Sequence, residues 1–186
     1  MIEKTRMTER PAAYSGLQKL IHWCTALFVL TLIPVGFLMV ARGKATNFDA
    51  TTNDLYTAHK TFGFVVLLLL VVRVVVRVSH GSPAHEPSLN RVQIIASKAV
   101  HELLYLMLLV VPLLGWLGVS AYGARRTLGG FSLPEILAKN EPLAKTLLAY
   151  HGYAAVVLIT LLGAHIGAAL LHRFILKDGV MKRMLP

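Results

Sequence analysis

Four apolar stretches, each about as long as the hydrocarbon core of a bilayer is thick, limit what this 186-residue chain can fold into. Residues 20–41, 103–122 and 146–171 contain no Asp, Glu, Lys or Arg. The second stretch, 55–78, is interrupted by Lys60, Arg73 and Arg77, and only 61–72 is free of charge. It still reads as a span, because Lys60 and Arg77 lie near its ends, where long basic side chains reach the membrane surface. The expectation is an all-α, integral membrane four-helix bundle in one domain, 1–186. Its spans are expected at approximately 17–41, 55–78, 99–122 and 146–173.

Composition excludes the competing classes. With 55% hydrophobic and 15% charged residues and a mean hydropathy of +0.62, the chain is too apolar for a soluble domain. Its net charge of +10 therefore reads as cationic loops beside anionic lipid, and no nucleic-acid partner is expected. The single cysteine, Cys24, lies inside an apolar run, which leaves no disulfide framework, zinc spacing or CxxCH motif. Twelve of the nineteen Lys and Arg residues fall on one side: Lys4, Arg6, Arg10 and Lys19, then Arg73, Arg77, Arg91 and Lys98, then Arg173, Lys177, Lys182 and Arg183. The positive-inside rule then puts both termini in the cytoplasm of a multi-pass inner-membrane protein, with the loops around 42–54 and 122–145 outside. No low-complexity segment or long internal repeat is evident, and the polar leader has no small-residue cleavage site of a signal peptide.

Histidines mark the interior. His151 and His165 share the last span and stand fourteen residues apart, which is about 21 Å along a helix and nearly the same azimuth. The same interval recurs on every span: His22 and Gly36, His59 and Arg73, His101 and Gly115. Each helix thus presents an inward stripe with two levels. Ionisable side chains are costly in a membrane, and two levels of imidazole with glycines opposite fit two flat ligands stacked along the membrane normal. Haem meets that description, because its iron takes axial imidazoles from facing helices and a glycine lets a porphyrin approach the backbone. Gly63, four residues after His59, offers a further opening beside Gly36 and Gly115. Depth along the helices pairs His59 with His151 on an outer haem iron and His22 with His165 on an inner one, with His101 as the alternative inner ligand. Arg73, on the face of His59, suits a haem propionate. His101 and His172, near the cytoplasmic edge, suit contact with a quinone or with haem. Proton or metal transport, the rival use of membrane histidines, would add carboxylates, and the span interiors have none.

The residues also resemble the prokaryotic cytochrome b561 family. The resemblance rests on Leu17-Gln18-Lys19-Leu20-Ile21-His22-Trp23, on Ala58-His59 with Gly63 and Val71-Val72-Arg73, on His101-Glu102-Leu103-Leu104-Tyr105 with Pro112 and Gly115, and on His151 with His165. It extends to the ending from His172-Arg173 through Lys177-Asp178 to Met184-Leu185-Pro186. It implies two non-covalently held haems b and electron transfer across the membrane to ubiquinone. Within the larger group the resemblance implies two alternatives. One is a superoxide:quinone oxidoreductase; the other is the cytochrome b subunit of a periplasmic dehydrogenase or hydrogenase, or of a partner cytochrome. For superoxide, Lys60, Arg42, Lys44, Arg125 and Arg126 are the candidate attracting cations, and residues 43–54 lack the Arg-Ser-Asp run of the superoxide oxidases. Membrane lipid is a partner in either case, and the oligomeric state is open.

Overall fold

The computed structural model describes residues 13–185, so Lys4, Arg6 and Arg10 of the cationic leader and the closing Pro186 lie outside the described residues. Four long helices carry the chain: α1 Gly16–Thr46, α2 Ala50–His80, α3 Arg91–Tyr122 and α4 Glu141–Leu170. Among the described residues there is no strand beyond an isolated bridge between Arg126 and Ser132. All four helices are long and apolar enough to cross a membrane, and the protein is an all-α four-helix membrane bundle.

The helices run past the apolar stretches because polar caps, not hydropathy, set their ends. Ser15 and Gln18 close a reciprocal capping box at the start of α1, and Asn90 and Gln93 do the same for α3, eight residues before the expected span. Asp49 caps α2 by accepting the Thr52 N–H at 2.8 Å, and Asn140 caps α4 through the Leu143 N–H. The α1–α2 connection is only Asn47, Phe48 and Asp49, with Asn47 and Phe48 at positive φ. At the far end of α4 the ladder widens into a π-helical turn, Leu171–Leu176, which turns His172 inward, with 9% of its surface exposed.

The short α1–α2 turn and the α3–α4 loop lie at one end of the bundle, here called the hairpin end. The α2–α3 loop and the last described residues lie at the other, the terminal end. Packing is closest within the hairpins α1–α2 and α3–α4, looser between α2 and α3, and sparse between α1 and α4. The buried cluster of Val29, Val66, Leu104, Val111 and Leu158 fills the middle. Val29 lies seven residues from both His22 and Gly36, Val66 seven from His59 and Arg73, and Leu158 seven from His151 and His165. This plug is therefore about 10 Å from either histidine level. The outward faces expose Leu, Val and Phe, as a lipid-facing surface requires.

Candidate functional site

At the hairpin end, α2 and α4 bring His59 and His151 face to face across the bundle, with ring centroids 6.2 Å apart and planes at 83°. Each ring is seated on a glycine of its own hairpin partner. A Cβ at Gly36 would stand 3.2 Å from His59 Cε1, and one at Gly115 would stand 3.2 Å from His151 Nδ1. The two glycines thus make room for the imidazoles themselves, a role the spacing alone did not assign them; Gly63 has open space where a Cβ would go. His151 Nδ1 donates to the Val111 carbonyl at 2.8 Å. A neutral imidazole that donates from Nδ1 keeps its lone pair on Nε2, the form in which histidine binds a metal. His59 Nδ1 is buried without a hydrogen-bond partner, and the Leu32 carbonyl approaches the same ring without completing a bond.

The terminal-end level gathers one polar side chain from each helix: His22, Arg73, His101 and His165. His22 and His165 have centroids 6.3 Å apart, whereas His101 and His165 stand closer, at 5.1 Å. His101 Nδ1 bonds the Ser97 carbonyl of its own helix at 2.6 Å. Arg73 Nη2 lies 2.9 Å from His22 Nδ1 while its Nε donates to the Tyr105 hydroxyl at 3.0 Å. The guanidinium carbons of Arg73 and Arg77 sit 5.4 and 5.8 Å from the Tyr105 ring centre, within cation–π range. Tyr105, given no role of its own by the sequence, is the residue that holds both arginines; its place four residues after His101 on α3 was the available signal.

His172 is not directed at this level. Its Nδ1 pairs with Asp178 Oδ2 at 2.6 Å, and Asp178 also accepts the Val180 N–H. Burial alone would push the Asp178 carboxyl up, but the His172 hydrogen bond and the Val180 N–H outweigh it and hold it below the ordinary carboxylate range. The chain from 177 on then lies over the terminal end, where the Trp23 indole N–H donates to the Met184 carbonyl and Arg183 pairs with Glu86.

Over the hairpin end, the α3–α4 loop forms a cover. Lys60 Nζ donates to the Ala124 carbonyl at 2.8 Å, the Leu128 N–H donates to Thr61, and Trp116 donates to the Pro134 carbonyl. Of the five cations expected to attract an anion, Arg42 pairs with Asp49 and Arg125 with Glu135, each at 2.9 Å. Lys44 and Arg126 have no carboxylate partner among the described residues.

The donor set fits haem. Two imidazoles on opposite sides of one metal ion, each nitrogen about 2 Å from it, put their ring centroids about 6 Å apart. The His59–His151 and His22–His165 pairs meet that spacing, and His101–His165 is shorter. Comparison with known proteins agrees in kind. The family model described as "Prokaryotic cytochrome b561" matches residues 13–186. Cytochrome b561 homolog 2 of Escherichia coli (strain K12) is 31% identical over 179 residues, 96% of this chain and 94% of that protein. The probable superoxide oxidase CybB of Yersinia pestis is 29% identical, covering 93% and 96%. Cytochrome b562 of Cereibacter sphaeroides is 30% identical, covering 96% and 98%.

Proposed function

The chain belongs to the prokaryotic cytochrome b561 family, and from that premise we propose that its two histidine levels hold two haems b and relay electrons from a periplasmic donor to ubiquinone. Transmembrane electron transfer by a haem-b cytochrome of the bacterial inner membrane is the family's function. The finer reading rests on one observation: two histidine pairs at 6.2 and 6.3 Å, one above the other. His59 and His151 would hold the haem at the hairpin end, and His22 and His165 the one at the terminal end. Gly36, Gly63, Gly115 and Arg73 belong to the haem environment, and His101 lies beside the acceptor side. The excess of basic residues at the terminal end supports a cytoplasmic position for that end and both termini.

When bound, haem supplies reversible one-electron oxidation of its iron. The chain supplies position and a dry path. The Val111 carbonyl fixes the tautomer and orientation of His151. The plug around Val29, Val66 and Leu158 keeps water and protons out of the stretch between the levels, so a charge crossing it is an electron. At the terminal end, Arg73 and Arg77 put two positive charges where an acceptor gains negative charge.

Superoxide is the proposed donor, in keeping with the similarity to the probable superoxide oxidase. A docked redox protein is the second reading, favoured by a specific observation: three of the five expected cations are tied to loop groups, while Leu128, Phe131 and Ile136 of the cover are exposed. Stopped-flow mixing of purified, oxidised protein with superoxide decides between them. Haem reduction within the mixing time is the expected result, and haems that stay oxidised with superoxide yet reduce with a periplasmic partner protein overturn it.

A further inference from the structure

The two hairpins are related by an approximate two-fold repeat of spacing and geometry, although their residues do not repeat. Gly36 and Gly115 are 79 residues apart, as are His22 and His101; His59 and His151 are 92 apart, as are Arg73 and His165. The contacts follow the same rule. His59 lies on Gly36 and faces the Leu32 carbonyl, and His151 lies on Gly115 and bonds the Val111 carbonyl, with Leu32 and Val111 again 79 apart. The plug obeys it too: Val66 and Leu158 are 92 apart, and Val29 and Leu108 are 79 apart.

At the hairpin end this symmetry is complete, since the operation exchanges His59 with His151. At the terminal end it is broken at one position. His22 maps onto His101, so His165 maps onto Arg73. The Arg73–His22 contact within the first hairpin is the counterpart of the His101–His165 contact within the second. The level therefore has two equivalent pairs across the seam between the hairpins, His22 with His165 and His101 with Arg73, and only the first carries an imidazole at both ends. A guanidinium has five N–H donors and no acceptor at any accessible pH, so it cannot ligate iron.

We propose that Arg73 is the residue that selects the pair: it occupies the symmetry position of a haem ligand, disables the His101 pair, and thereby commits the second haem to His22 and His165. The inference rests on the proposed ligand pairs. His101 is then a displaced ligand position, retained beside His165 and bonded back to Ser97. Tyr105 has no counterpart in the first hairpin, where Ala26 occupies the equivalent place 79 residues earlier; its hydroxyl holds the guanidinium in that position.

Exchanging the two residues tests this, read by haem content and by absorption bands of the purified protein. In the natural chain, His165→Ala or His22→Ala lowers haem from two to one per chain, and His101→Ala leaves two. In the double variant Arg73→His with His165→Arg, two haems are again expected, and the dependence inverts: adding His101→Ala now removes one, whereas adding His22→Ala does not. The hairpin-end haem, held by His59 and His151, reports folding in every variant. A double variant that keeps that haem and gains no second one, or whose second haem still needs His22, overturns the inference. Should the exchanged arginine prevent folding, Arg73→His with His165→Ala is read instead; recovery of a second haem through His101 is expected, and one haem per chain overturns it. Two haems retained by His165→Ala alone would instead overturn the ligand pairs themselves.

Discussion

The two histidine levels use the same helices and a similar ring separation, yet they are built on opposite principles. At the hairpin end each imidazole is seated on a glycine and faces a backbone carbonyl, and among the described residues neither ring pairs with a charged side chain. At the terminal end the imidazoles sit among two guanidiniums, a phenol and a third histidine; His22 has the Arg73 side chain as its partner, while His101 turns back to the Ser97 carbonyl. Backbone seats are rigid and electrically neutral, so they suit a relay whose surroundings do not change. Side-chain partners can exchange and carry charge, which suits the level proposed to pass electrons to an acceptor that also takes up protons.

That contrast is most directly broken by removing ligands. His59→Ala or His151→Ala should each remove the same haem and leave the terminal-end haem with its own absorption band, a loss of one of two haems per chain. A variant at one level that removes both haems would show the levels to be one cooperative site. The seats come next. Gly115→Val and Gly36→Val should each abolish the hairpin-end haem, because even a Cβ at 3.2 Å forces the ring to yield and the branched side chain leaves it nowhere to go. Alanine at either position should keep the haem and shift its band. Gly63 separates protein packing from ligand contact: its side is open, so Gly63→Val should leave helix content by circular dichroism unchanged while lowering haem content.

Much of this contrast was beyond the sequence, for reasons that differ by residue. The four-helix class was legible because lipid demands long apolar runs, and the common depth of the histidines was legible because fourteen residues is a near-integral number of turns. Helix ends were not, since Asn90 and Asn140 act through local hydrogen bonds that hydropathy does not register. The seat of His59 on Gly36 joins residues on two helices, and no periodicity within one helix encodes it. His172 was expected near the acceptor because it lies at the cytoplasmic edge of the last span; the π turn rotates it onto Asp178, and a widened turn leaves no mark in composition. The role of Tyr105 was not legible because it depends on two arginines from another helix.

Charge distinguishes the levels at a smaller scale. Replacing Arg73 by Gln removes a positive charge beside His22 and should lower the midpoint potential of the terminal-end haem by tens of millivolts, on the order of 1–2 kcal/mol. The hairpin-end haem, about 21 Å away along the bundle, should shift by far less. Equal shifts in a redox titration would mean that the charge acts on the whole bundle and that the polar level has no local field of its own.

The smallest expected effect concerns what holds the terminal end together. Asp178 is held below the ordinary carboxylate range in the folded chain, so its contribution to tail docking is fully present above its unfolded value of about 4 and is lost as the pH falls through the lower folded value. Asp178→Asn should therefore speed amide hydrogen exchange over 177–185 at neutral pH, by severalfold, and the difference from the natural chain should vanish in more acidic solution. The hairpin end has its own carboxylate cap, Asp49, but its histidines rest on glycine seats and, for His151, on the Val111 carbonyl, none of which titrates, so protection from exchange around Gly36 and Gly115 should stay flat over the same range. Acid-dependent exchange at Gly36 and Gly115 as well would mean that the seats rest on the carboxylate caps, and the division between a backbone-held level and a side-chain-held one would fall.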